Sequence, residues 1–156
     1  MASSNEIYIN QVGDNSDYTI TQDGEDNKIH SLNTVSGSAS LGGNNKTFTL
    51  EQTGNNNRAG FWTHGGNQVI SLIQDGDNNV SAMDNHGNNN DMSVDIEGDG
   101  NVTHTEIGNG GDEFNEIDVI IDGDDNNVYA EVLDGDSNEF DIQIHSQDDG
   151  LVRVIV

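Results

Sequence analysis

Apolar residues along this chain come in short alternating bursts. Ile7, Ile9 and Gln11 share one side of such a segment, as do Tyr18, Ile20 and Gln22, Phe48, Leu50 and Gln52, and Ile70, Leu72 and Gln74. Met92, Val94 and Ile96 repeat the arrangement, followed by Ile117, Val119 and Ile121 and by Phe140, Ile142 and Ile144. Alternation at period two over five or six residues predicts a β-strand with one buried face. No window has the i, i+3, i+4 spacing of an amphipathic helix, so essentially no helix is expected.

The gaps between bursts are equally regular. "GEDNKI" from Gly24, "GNNNRA" from Gly54, "GNNNDM" from Gly87, "GDDNNV" from Gly123 and "GDSNEF" from Gly135 all read Gly-x-x-Asn-x-apolar, and Gly76 and Gly98 open one-residue variants. Gly54, Gly65, Gly76, Gly87 and Gly98 follow one another at intervals of eleven. Glycine reaches positive φ without steric cost, and Asn and Asp close tight corners through bonds to their own backbone. These glycines are therefore expected to make the turns. Eleven residues give one strand and one turn, and about twenty-two give a rung that runs out and back.

The expected fold is an all-β β-solenoid of stacked strand-turn-strand rungs with two facing sheets, a single domain over 1–156. Stacking would put Gln11, Gln52 and Gln74 at equivalent inward positions, where amides can ladder from rung to rung. Two segments break the rhythm. "SLNTVSGSASLGGNNKT" (31–47) is Ser/Gly-rich and "EIGNGGDEFNE" (106–116) is glycine-dense, so both are expected to be irregular loops. The last residues, 150–156, are the most apolar stretch, and their Val152, Val154 and Val156 are candidate assembly contacts.

Composition narrows the partners. Only 31% of residues are hydrophobic, and 29 acids against 4 bases give a net charge of −25. That combination by itself signals disorder, but the absence of proline and the strict periodicity argue for a folded repeat. The four bases, Lys28, Lys46, Arg58 and Arg153, are too few for phosphate binding, so no nucleic-acid partner is expected. No apolar run reaches spanning length, so no membrane insertion is expected. Without cysteine there is neither a disulfide framework nor a thiolate metal site. "MASSNEIYINQVG" lacks a basic n-region and an apolar h-region, so no secretory signal is expected.

The pattern I-x-I-x-Q-x-G-x-x-N, as in "YTITQDGEDNKI" and "FTLEQTGNNNRA", resembles the curlin repeat, whose family supplies the subunits of bacterial curli fibres. The resemblance covers most of the chain and is strongest over 7–79. It implies an amyloid-like stack of strand-turn-strand rungs with a Gln ladder through Gln11, Gln22, Gln52 and Gln74. The Asn ladder would run through Asn27, Asn57 and Asn79, with Asn90, Asn126 and Asn138 as the asparagines of later rungs. Ile96 and Ile121 fall where the Gln slot lies, so the amide ladder should give way there to an aliphatic one. The repeats also look like those of some phage-encoded structural proteins.

Other chemistries are weaker. "QDGDNN", "DGDDNN" and "LDGDSN" offer oxygen ligands, yet neither EF-hand nor calcium β-roll spacing is met, which leaves weak divalent cation binding and otherwise no cofactor. His64 and His86 lie twenty-two apart and should stack on adjacent rungs, as a metal pair or a pH-sensitive step, or simply as a repeated residue. His30, His104 and His145 form no pattern. Acids at every turn leave no isolated carboxylate pair, and no nucleophile motif is present, so no enzyme is expected. Alternation puts Phe61 inward and Trp62 outward. The expectation is a self-assembling structural protein with itself and other structural proteins as partners. A virion fibre, appendage or surface element is the leading assignment and a secreted curli-type extracellular fibre the alternative. A calcium-dependent binding module is a third.

Overall fold

The computed structural model describes residues 4–7, 9–29, 39–87, 89–108, 114–132, 138–145 and 150–155. Among them there is no helix, and thirteen strands form two parallel sheets. Sheet A takes the odd strands: β1 (Asn10–Val12), β3 (Ser40–Gly42), β5 (Phe61–His64), β7 (Met83–His86), β9 (Thr103–Gly108), β11 (Val128–Val132) and β13 (Val152–Ile155). Sheet B takes the even ones: β2 (Ser16–Ile20), β4 (Lys46–Leu50), β6 (Gln68–Leu72), β8 (Asp91–Ile96), β10 (Glu116–Ile121) and β12 (Glu139–Ile144). Each strand pairs with the next-but-one in sequence. A chain that crosses to the other sheet between neighbours can pair them only in parallel. The result is a β-solenoid with coils about 23 residues apart.

Register keeps equivalent residues in vertical columns. They lie 22 apart in the central coils, 30 apart where 30–38 intervene and 25 apart across 109–113. The first expected loop is therefore narrower than 31–47, because β3 and the start of β4 lie inside that span as regular strands. Likewise β9 continues to Gly108 within the second span, which β10 re-enters at Glu116. An insertion of a few residues at a corner is tolerated because loop closure cost grows only slowly with length, while the strands on either side keep their register.

The core lies between the sheets. Sheet B contributes the columns Tyr18–Phe48–Ile70–Met92–Ile117–Phe140 and Ile20–Leu50–Leu72–Val94–Val119–Ile142. Sheet A answers with Leu41, Phe61, Met83, Ile107 and Val128, all fully buried. Phe48 and Phe61 meet edge-on across the interior with ring centroids 4.4 Å apart. The inward face of sheet A also carries Thr63, Asn85 and Thr105 at 0% exposure, and neither amide atom of Asn85 has a hydrogen-bond partner.

Candidate functional site

For a repeat protein the features with functional weight are its ladders, its corners, its outer faces and its edges. The Gln ladder exists in one corner column. Gln22 Nε2 donates to Gln52 Oε1 at 2.6 Å, and Gln52 Nε2 donates to Gln74 Oε1 at 2.6 Å. The ladder stops there with Gln74 Nε2 buried and unpartnered, because the next rungs place Ile96, Ile121 and Ile144 in line. The replacement of amides by aliphatics is the one read from the sequence. Gln11 does not belong to this ladder. It lies in sheet A, in the column of Leu41, Thr63, Asn85 and Ile107, and its amide turns to Ser16 Oγ at 3.1 Å. The alternating segment around it is a strand of the opposite sheet.

The asparagines divide in the same way. Asn27, Asn57, Asn79, Asn101 and Asn126 make one buried ladder, each side-chain N–H donating to the amide oxygen one rung back: 2.9 Å, 2.9 Å and 2.8 Å for the first three steps, with a short contact from Asn126 to Asn101. Asn90 and Asn138 belong to a different corner, joined through Asn115: Asn90 Nδ2 donates to Asn115 Oδ1 at 3.4 Å, and Asn115 Nδ2 donates to Asn138 Oδ1 at 3.1 Å. Asn101 and Asn115 were missed because each sits in a shifted or expanded segment. Their distance from the neighbouring Asn was the available signal. A third ladder, Asn15, Asn45 and Asn67, is exposed, and all three have φ between 54° and 57°.

The corner glycines also fall into two classes. Gly24, Gly54, Gly76, Gly98 and Gly123 are not in the left-handed region. Positive φ sits instead on their neighbours: Asp23, Thr53 and Asp75 before, and Glu25, Asn55, Asp77, Asp99 and Asp124 after. The side-chain oxygens of Asn55, Asp99 and Asp124 accept the backbone N–H of Glu25, Asp77 and Asp99, at 2.6 Å to 2.9 Å. These bend residues are therefore structural acceptors, which explains why Asp and Asn interchange there. Gly87 belongs to the second class, the stack Gly13–Gly43–Gly65–Gly87. A Cβ on Gly43, Gly65 or Gly87 would lie 2.3 Å, 2.2 Å or 1.9 Å from the carbonyl oxygen of the glycine one rung back. Here positive φ and close backbone approach both demand glycine. Gly135 lies outside the described residues.

On the outer face of sheet A the side chains form a connected stripe. Trp62 is 42% exposed while Phe61 is buried, as alternation requires. The His64 and His86 rings stack with centroids 5.3 Å apart, and Trp62 meets His64 edge-on at 4.2 Å. His86 Nε2 lies 2.9 Å from Asp84 Oδ1, and His104 Nε2 lies 3.6 Å from Glu106 Oε2. His104 packs on Tyr129 at 4.8 Å, the Tyr129 hydroxyl donates to Glu131, and the Arg153 guanidinium lies 5.3 Å over the Tyr129 ring. Burial, joined by Glu106, pushes the Asp84 carboxyl above the usual carboxylate range against the pull of the neighbouring histidines. His104 had no visible place in the sequence pattern, since its stacking partner Tyr129 is not a histidine.

The outer face of sheet B is acidic without rings. Asp118 pairs laterally with Asp141, near Asp91 and Asp95, and burial together with these like charges raises its pKa. The cation Lys46 occupies an inward corner of the same sheet, in line with Ser16 and Gln68, and burial lowers its pKa despite Asp14. At the far edge of sheet A, β13 continues the inward columns: Val152 stands beside Val128 and Val154 beside Ala130. Both are left 45% and 43% exposed because no described strand of sheet B faces them. Val156 lies outside the described residues. Among the described residues no three His, Cys, Asp or Glu side chains are gathered as a metal ion would require.

Comparison with known proteins finds no family model, no curated protein and no solved structure that matches this chain.

Proposed function

We propose that this protein is a structural, self-stacking repeat protein whose copies add end to end along the solenoid axis. The observation that carries this reading is the β13 edge, where Val152 and Val154 occupy columns that are buried one rung earlier and stand half-exposed here. At the opposite edge Ile7, Ile9, Tyr18 and Ile20 are only partly buried against the core. One column begins at Tyr18 and reaches Phe140, and the next begins at Ile20 and reaches Ile142. A second copy would bring like residues against like and pair the free strand edges, which is the usual route by which parallel β-stacks extend.

Charge favours a single file. Both outer faces carry carboxylates, so lateral packing of whole sheets is repelled more strongly than axial stacking, which buries the apolar and amide columns and brings only the ends of acidic columns, such as Glu139 and Asp17, together. A single-file stack suits a virion fibre, appendage or surface element of a phage, and this is the first reading. The second is an extracellular fibre of the curli type, supported by the strand-bend-strand rung with Gln and Asn ladders at the observed period.

Sedimentation velocity and negative-stain imaging across salt and pH test the proposal. Screening shortens the reach of exposed charges to about 10 Å at 0.1 M salt, so association should grow with ionic strength and as pH falls toward about 4. Files one molecule wide would support the first reading and laterally bundled fibres the second. Monodisperse subunits under every condition would refute stacking.

A further inference from the structure

We propose that the outer face of sheet A is a docking surface for an arginine-rich segment of a partner protein. The face differs from the ends of the solenoid and does not depend on stacking. Its central column reads Trp62, Asp84, Glu106, Glu131 on consecutive strands. Strands in a sheet stand about 4.8 Å apart, so three carboxylates follow a tryptophan ring at that interval. Imidazoles of this chain already approach two of these acids, His86 beside Asp84 at 2.9 Å and His104 beside Glu106 at 3.6 Å, so the column draws cationic ring nitrogens along the face. A cation from a partner laid along the column would add to that set.

The guanidinium is the cation that fits. It is planar, stacks on aromatic faces and can bond a carboxylate through two N–H groups, whereas an ammonium offers only a point charge. The chain shows the mode itself, since Arg153 lies over Tyr129 beside the Glu131 column. Beyond Tyr129, toward Trp62, the same combination of rings and acids continues with no further arginine of this chain on it. A second copy is a poor occupant, because Arg58 and Arg153 are the only arginines in the sequence. Phosphate-bearing partners are repelled by the same acids. The acidic face of sheet B, centred on Asp118, supplies a natural comparison: it has the charge and lacks the rings.

Trp62 is the only tryptophan, so its emission reports the site directly. The intact protein is titrated with an oligo-arginine peptide and, in parallel, with oligo-lysine of the same length. Expected is a saturable change in Trp62 emission with arginine, at an affinity about tenfold tighter than with lysine, equivalent to about 1.4 kcal/mol. The Asp84→Asn/Glu106→Gln variant should lose about tenfold in affinity, while Asp118→Asn/Asp141→Asn, which removes the same charge from sheet B, should stay within about twofold. Glu106→Gln alone should weaken binding in the same direction if the double variant loses its sheet signal in circular dichroism. No change in Trp62 emission, equal affinities for arginine and lysine, or equal losses in the two charge variants would each overturn the proposal.

Discussion

Single residues in this fold are judged by what stands one rung away. Gly65 and Gly54 look interchangeable in the sequence, both opening a Gly-Asn-rich segment, but their neighbours differ. A Cβ on Gly65 would meet the Gly43 carbonyl oxygen at 2.2 Å, and its φ of 119° is strained for any L side chain. A Cβ on Gly54 would meet only Asp77 Oδ1 at 3.5 Å, an ordinary contact. Gly65→Ala should therefore cost about 3 kcal/mol or more, and Gly54→Ala less than about 1 kcal/mol, in denaturant unfolding of the two variants. Asn85 gives the opposite case. Its amide is buried without partners in a column that includes Leu41 and Ile107. Asn85→Leu should stabilise by about 1–3 kcal/mol, because an orphaned buried polar group costs more than an apolar one of similar size. A lower midpoint for Asn85→Leu would show that the amide is satisfied in solution.

Ladders are the unit at the next scale. In the Asn27-to-Asn126 column the three inner amides, Asn57, Asn79 and Asn101, each donate to one rung and accept from the other, so a change at the middle is felt on two sides. Asn79→Asp replaces the donor that faces Asn57 Oδ1 with an acceptor, and puts an unpaired carboxylate at a position of 0% exposure. Breaking a buried polar pair in this manner costs about 3–5 kcal/mol, and protonation restores a donor. Urea melts of the variant should show this loss at neutral pH and recover part of it on acidification. A pH-independent loss would point to packing instead. The alternation of strands and the position of the Gln-to-Ile switch were legible in the residues themselves, since both depend on side-chain type at period two. The assignment of each alternating segment to one sheet or the other was not: Gln11 and Gln22 head similar segments and lie in opposite sheets, because successive strands of a solenoid alternate sheets and carry the same binary pattern.

Over the whole molecule charge decides how stability follows pH. Asp84 and Asp118 have pKa values above the carboxylate norm of 3.8, so the folded chain takes up their protons before the unfolded one does. Their contribution to stability therefore rises as pH falls from neutral through those raised values, and is complete below 3.8. Lys46, lowered by burial, acts at the other limb: its penalty is relieved as pH rises through its lowered value toward 10.5. Thermal midpoints should accordingly climb on mild acidification. Asp118→Asn should start higher at neutral pH, by about 0.5–1 kcal/mol for relief of the lateral pair with Asp141, and climb less. Parallel pH profiles for wild type and variant would remove Asp118 from the account.

What the sequence alone determined is the local alphabet: strands from period two, corners from Gly and Asn, and a coil length from the interval between like segments. These follow from one residue and its near neighbours, which the chain states directly. What only the tertiary structure decided is which like residues stand over one another. The split of the asparagines into separate corners, the two classes of glycine, and the stripe from Trp62 to Arg153 all arise between rungs 22 to 30 residues apart. Insertions shift that interval, and outward side chains are under no packing demand to repeat, so contacts between rungs are set by register in space and leave no fixed spacing to read.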